Sequence, residues 1–145
     1  MLLIPVVDQL RTVETAGKKE FYKVATSANF AAAKDDLKAV PSAYVLPLRD
    51  QAGSNQLGGG GAILQPVKEQ FGIALAISNL RDPTGTAAQA EFERLRKLVM
   101  IKMLGFVPGD EYDPCEYVGG SLLLILPDVI WWQMVFTTTY MERNF

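Results

Sequence analysis

An α+β domain, with a largely antiparallel mixed sheet and helices packed on one face, follows from three features of the 145-residue sequence. Helical and strand-like segments are mixed without a repeating βαβ unit. Two apolar runs of strand length, separated by Pro127-Asp128, close the chain as a hairpin. No internal repeat or long linker divides the chain, and at this size one core buries about 68–70% of the surface the unfolded chain exposes. A single domain over residues 1–145 is expected, with a flexible glycine-rich loop at about 51–61.

Pro5 suits a first helical turn, and Val6, Leu10 and Val13 then share one face, predicting a helix over about 5–16 that ends at Gly17. Residues 21–25 hold two aromatics and a valine and read as a short strand. Ser27 or Asn29 can cap the alanine-rich helix that follows, reaching about Leu37 before Pro41. A strand starts at Ser42, and its Pro47 favours a sheet edge or a bulge.

Residues 51–61, with Gly58-Gly59-Gly60-Gly61, show no apolar period and read as a loop. Extended structure resumes over 62–78, in two segments or one strand bent near 70–72. There Phe71, Ile73, Leu75 and Ile77 alternate with Gly72, Ala74, Ala76 and Ser78, so one sheet face carries bulk and the other only small groups. A helix of the same chain, or a neighbouring subunit, can approach that small face closely.

After the Asp82-Pro83-Thr84-Gly85 turn, Thr86-Ala87-Ala88-Gln89 matches a capping box. Phe92, Leu95, Val99 and Met103 form the apolar stripe of a helix that Gly105 ends. The loop over 106–117 gathers Asp110, Glu111, Asp113 and Glu116, the densest acidic patch of the chain. The closing hairpin takes 118–126 and 129–140. Its Trp132 is expected in the core with Met134 and Phe136, and Trp131 outward, under a helix or in an interface. Although residues 119–136 are long enough to span a bilayer, Pro127-Asp128 would sit near its midplane, so a soluble hairpin fits better.

Composition removes much chemistry. There is no histidine, hence no Ser-His-Asp or Cys-His catalysis and no His-bearing metal site. One cysteine, Cys115, allows neither an intrachain disulfide nor a four-cysteine zinc site, and its carboxylate neighbours make it a poor nucleophile. The net charge of −2, with both signs interspersed, is not that of a general nucleic-acid binder. The N-terminus has no basic segment before its apolar run, which predicts no signal peptide and synthesis in the cytoplasm.

Remaining candidates are weak. The four glycines lack the Lys-Ser/Thr and the following helix of a phosphate loop. The acidic loop departs from the Asp-x-Asp-x-Asp-Gly pattern of a calcium loop. Asp35 and Asp36, adjacent on a predicted helix, point apart and do not form a dyad. No catalytic, cofactor-binding or metal-binding set emerges; a small carboxylate-dependent enzyme or ligand-binding α+β domain is the alternative, and it requires a concave pocket with a carboxylate of raised pKa.

The segments Pro41-Ser42-Ala43-Tyr44-Val45-Leu46-Pro47, Asp50-Gln51-Ala52-Gly53-Ser54-Asn55 and Val67-Lys68-Glu69-Gln70-Phe71-Gly72-Ile73-Ala74-Leu75-Ala76-Ile77 resemble the phage tail terminator-like proteins of long-tailed bacteriophages. Leu95-Arg96, Leu104-Gly105-Phe106-Val107-Pro108, Gly119-Gly120, and Trp131-Trp132 before Phe136-Thr137 extend the resemblance to most of the chain, from about Val40 to Thr138.

The resemblance implies a non-enzymatic virion protein at the head-proximal end of the tail, assembled in the host cytoplasm. It implies a ring, commonly a hexamer, that caps the tail tube, stops its polymerisation and offers a surface for joining the head. The implied partners are copies of itself, the tail-tube protein and the head-tail connector protein, with DNA only passing through the ring, no cofactor and no membrane. On that reading Gln51, Asn55, Gln56, Leu57, Gly58, Gly59, Gly60 and Trp131 are interface candidates, the loop ordering on assembly. Asp110, Glu111, Asp113 and Glu116 are candidates for an acidic lumen that repels passing DNA.

Overall fold

A computed structural model describes residues 3–79 and 86–145. Helix α1 (Ile4–Leu10) carries Pro5 in its first turn and buries Val6, Val7 and Leu10. It is shorter than the apolar spacing predicts, because the chain tightens into i→i+3 bonds, Thr12 N–H to the Gln9 carbonyl and Val13 N–H to that of Leu10. Val13 still reaches the core, three residues on from Leu10 in either geometry. Gly17 therefore ends no helix. With Ala16 it supplies the two left-handed residues (φ 78° and 53°) of the hairpin joining β1 (Glu14–Thr15) to β2 (Lys18–Lys19).

Strand β3 (Lys23–Thr26) leads to α2 (Phe30–Asp36), whose cap is Asn29: its side-chain oxygen accepts from Ala32 N–H at 2.8 Å. Strands β4 (Ser42–Ala52) and β5 (Leu64–Ser78), helix α3 (Thr86–Met103), and strands β6 (Glu116–Ile125) and β7 (Val129–Arg143) follow. The main sheet has the order β3-β4-β5-β7-β6, antiparallel except for the β3–β4 pair. Strand β5 is one continuous element. Both expectations for Pro47 hold: β3 pairs only with Ser42–Val45, so Pro47 lies on free edge, and the β4–β5 register shifts between Pro47 and Arg49.

The alternation along β5 divides the interior. Phe71, Ile73, Leu75 and Ile77 face Val6 and Leu10 of α1 and Leu95, Val99 and Met103 of α3 in one cluster. Ala74 and Ala76 join Tyr44, Leu46, Trp131 and Ala33 of α2 in a second cluster, with Phe30 and Leu37 packed on it. Two helices thus share one face, as expected, while α2 covers the other. The small-residue face receives a helix of its own chain.

The α3 stripe is as predicted, with Leu95, Val99 and Met103 buried and Phe92 against the Trp132 ring at 4.8 Å. Gly105 (φ 79°) follows the helix in the left-handed conformation that suits its end. The expected turn at 82–85 and residues Met1 and Leu2 lie outside the described residues. The β6–β7 hairpin closes at Pro127-Asp128 through Leu126 N–H on the Val129 carbonyl at 2.8 Å. Gly120 on β6 is required: a Cβ there would sit 2.8 Å from both Trp132 Nε1 and the Tyr117 hydroxyl. No helix among the described residues is long and apolar enough to cross a membrane.

Candidate assembly surfaces

From Gln70 outward the sheet continues as a three-stranded arm of β4, β5 and β7, with Leu3 at the start of α1 beside its base. Its register pairs Gln51 with Lys68 and Ala52 with Val67, so β4 runs two residues into the segment expected as loop. Beyond Ala52 the polypeptide is organised by two asparagines. Asn55 Nδ2 donates to the carbonyls of Leu57 (2.9 Å) and Ala62 (3.2 Å), and Asn55 Oδ1 accepts from the N–H groups of Leu57 (3.1 Å) and Leu64 (2.9 Å). Asn144, past the end of β7, accepts from Ile63 N–H at 2.7 Å and donates to the Gly61 carbonyl at 2.9 Å.

The tip itself turns through Gly59, Gly60 and Gly61, all at φ between 72° and 78°. Gln51, Asn55, Gln56 and Gly58 to Gly60 are exposed and Leu57 is half-buried, so seven of the eight interface candidates lie at this end of the molecule. Trp131 does not. It pairs with Ala76 at the opposite end of the sheet and is 0% exposed, edge-on to Phe30 at 5.1 Å and tilted against Tyr44 at 5.9 Å. Of the two covers expected for Trp131, a helix or an interface, the structure supplies the helix: α2 folds over its face and makes it a core residue, so it leaves the set of interface candidates.

The acidic loop lies against the arm. Tyr112 bridges to Tyr140, Asp113 N–H donates to the Thr139 carbonyl at 2.8 Å, and the Thr138 hydroxyl donates to the Asp113 carbonyl at 2.6 Å. Those bonds hold the backbone and leave Asp110, Glu111, Asp113 and Glu116 exposed; Glu116 is the first residue of β6, opposite Thr137. Glu111 pairs with Arg143 at 3.4 Å. The Tyr140 phenol is pushed up to about 12, first by burial and then by the charges of Glu69 and Glu142. Those two carboxylates belong to the same acidic surface. Glu142 follows Tyr140 by two on β7 and so shares its face, whereas Glu69 is hidden from sequence spacing, since only the β5–β7 register places it beside Tyr140.

Elsewhere, the carboxyls that shift move downward. An Arg94 hydrogen bond holds Glu20 below its ordinary value, and Lys23 with the Tyr44 hydroxyl does the same for Asp36. Neither is the raised carboxylate that the enzyme alternative requires. Burial pushes the Cys115 thiol up to about 11, away from nucleophilic use. Among the described residues no three His, Cys, Asp or Glu side chains form a metal-binding group.

A family profile described as phage tail terminator protein matches residues 5–144. The chain belongs to the phage tail terminator family. The family is one of structural tail proteins, so the chain is a structural component of the phage tail that works by contact with other tail and head components. The match covers all ten elements except the first residue of α1. Among curated proteins none matches the chain.

Proposed function

We propose that this tail terminator forms a ring, commonly a hexamer, on the last ring of tail-tube subunits at the head-proximal end of the tail. There it stops tube polymerisation and presents the surface to which the head-tail connector protein docks; assembly takes place in the host cytoplasm. The observation that carries the reading is the family match over residues 5–144. The arm supports it: a polar, helix-free extension of the sheet ending in an exposed glycine turn is suited to reaching a neighbouring ring.

Asp110, Glu111, Asp113 and Glu116, with Glu142 beside them, form an exposed surface that is mainly acidic, Arg143 pairing with Glu111 within it, and suited to a lumen through which DNA passes without adhering. In this reading the glycine tip gains contacts on assembly, while Asn55 and Asn144 hold its base in the free subunit.

Negative-stain microscopy of the protein mixed with its tail-tube protein tests the function. Capped tubes of fixed length are expected. Open tubes that keep growing in the presence of excess protein would overturn it.

A further inference from the structure

The two outer edges of the main sheet are finished differently. On the β3 side, Arg11 Nη2 donates to the Val24 carbonyl at 3.1 Å, and the Lys23 ammonium, paired with Asp36 at 2.7 Å, adds the kind of charge that keeps foreign strands away. On the other side, no described strand pairs with the outer edge of β6. That strand has ten residues, none charged from Tyr117 to its end at Ile125, and it exposes Val118 (51%), Leu122 (49%) and Ile125 (59%). A long edge without charge is what monomeric proteins avoid; the register of β6 shifts between Tyr117 and Gly119 and between Leu122 and Leu124, and the regularly paired stretch between, Gly119 to Leu122, turns backbone donors and acceptors outward that are complementary to another extended strand.

The chain carries a second free edge that can supply that strand. Strand β4 outruns β3 at Val45 and is exposed from Pro47 to Ala52; past Pro47, which lacks a donor, five residues remain, Leu48 to Ala52. Their direction is right. The β4–β5, β5–β7 and β7–β6 pairs are all antiparallel, so β4 and β6 run in opposite directions within one sheet. Leu48–Ala52 lies level with Val67–Gln70, and β6 starts level with Gln70 and runs the other way, so a second copy must be staggered along the strands by about six residues, as the tilted strands of a closed ring are, to bring its β4 segment antiparallel to β6, the more stable pairing. The free edges lie on opposite sides of the sheet, so the contact is head-to-tail and propagates around a ring instead of stopping at a dimer.

We infer that the outer edge of β6 is a subunit seam, filled by the Leu48–Ala52 segment of β4 from a second copy of this chain. The inference deepens the ring reading above and rests on it. Five paired residues at about 3.3 Å each span only about 17 Å, so the seam is weak by itself and is completed by the contacts the tube adds.

Cysteine pairs test it, because Cys115 is buried and silent. Leu122→Cys is combined in one chain with Leu48→Cys, Asp50→Cys or Gln51→Cys, and each double variant is oxidised both as concentrated protein and on tail tubes. At least one double variant should give a ladder of covalent oligomers ending in a closed ring, while Leu122→Cys alone gives none. A covalent dimer from Leu122→Cys alone would show β6 pairing with β6 and overturn the seam. No ladder in any combination would also overturn it. Leu122→Lys, at an exposed position, should melt like the wild type and lower self-association about tenfold; unchanged association would count against the seam. A ladder from protein that fails to cap tubes would sink the proposed function and leave the seam standing, whereas capping without any ladder does the reverse.

Discussion

Trp131→Ala gives the sharpest measure of which half of this protein is structural. The side chain is 0% exposed, with Phe30 edge-on at 5.1 Å, Tyr44 at 5.9 Å, and the small face of Ala74 and Ala76 beside it. Removing a buried indole costs about 3–5 kcal/mol, the lost transfer free energy plus the cavity left behind. With an unfolding entropy of about 2.1 cal/mol/K per residue over 145 residues, or about 0.3 kcal/mol/K, the expected fall in Tm is about 10–16 °C. Calorimetry of the isolated protein reads it directly. A cycle with Phe30→Ala should return a coupling of about 0.5–1.5 kcal/mol, because the edge-to-face pair exists only while α2 stays on the sheet. A loss below about 1 kcal/mol together with weakened self-association would refute the reasoning and return Trp131 to an interface.

Asn55→Ala removes four hydrogen bonds at the base of an exposed turn, so global stability should change by less than about 1 kcal/mol while proteolysis between Leu57 and Gly61 accelerates. Glu20 and Asp36 titrate below their ordinary values when folded, so each contributes stability that is present above the unfolded pKa and lost as pH falls through the folded one. Glu20→Gln with Asp36→Asn should flatten the decline in Tm below the ordinary value of 4.5 for Glu20, as seen in melts from pH 7 to 2.5. The Cys115 thiol, pushed up to about 11 and buried, should resist iodoacetamide at pH 8 in native protein and react once denaturant is added, as mass spectrometry can follow. Reversing Asp110, Asp113 and Glu116 to lysine should leave melting and tube capping intact but slow DNA passage; unchanged infectivity would remove the lumen assignment.

Periodicity made the central elements legible. The β5 alternation located both interior clusters, and the α3 stripe named the residues that become buried, because burial on one face is written directly in the spacing of apolar residues. Helix ends were less legible. Val13 reaches the core three residues after Leu10 whether the backbone is α-helical or tightened into i→i+3 turns, so its spacing could not show where α1 stops. Trp131 was placed on the correct face, yet its cover depends on where α2 returns, a long-range choice that local pattern does not encode. Likewise Glu69 comes beside Tyr140 only through the register of two strands separated by more than 50 residues.

The same register joins two unlike halves of one sheet. Residues Phe71 to Ile77 of β5 have helices on both faces, so this half cannot change shape without exposing a core. Residues Leu64 to Gln70 continue the same strand, with Lys68 exposed and only Val67 buried, outside both interior clusters. The arm therefore inherits its direction from the rigid half through continuous backbone pairing, Gln70 to Thr137 and onward to Leu64 with Arg143. On the ring reading proposed above, a reach supplied by a free linker would let the tip sample many positions and each contact would carry an ordering cost; a tip at the end of a paired strand starts from one position, with Asn55 bonded at the base of the glycine turn.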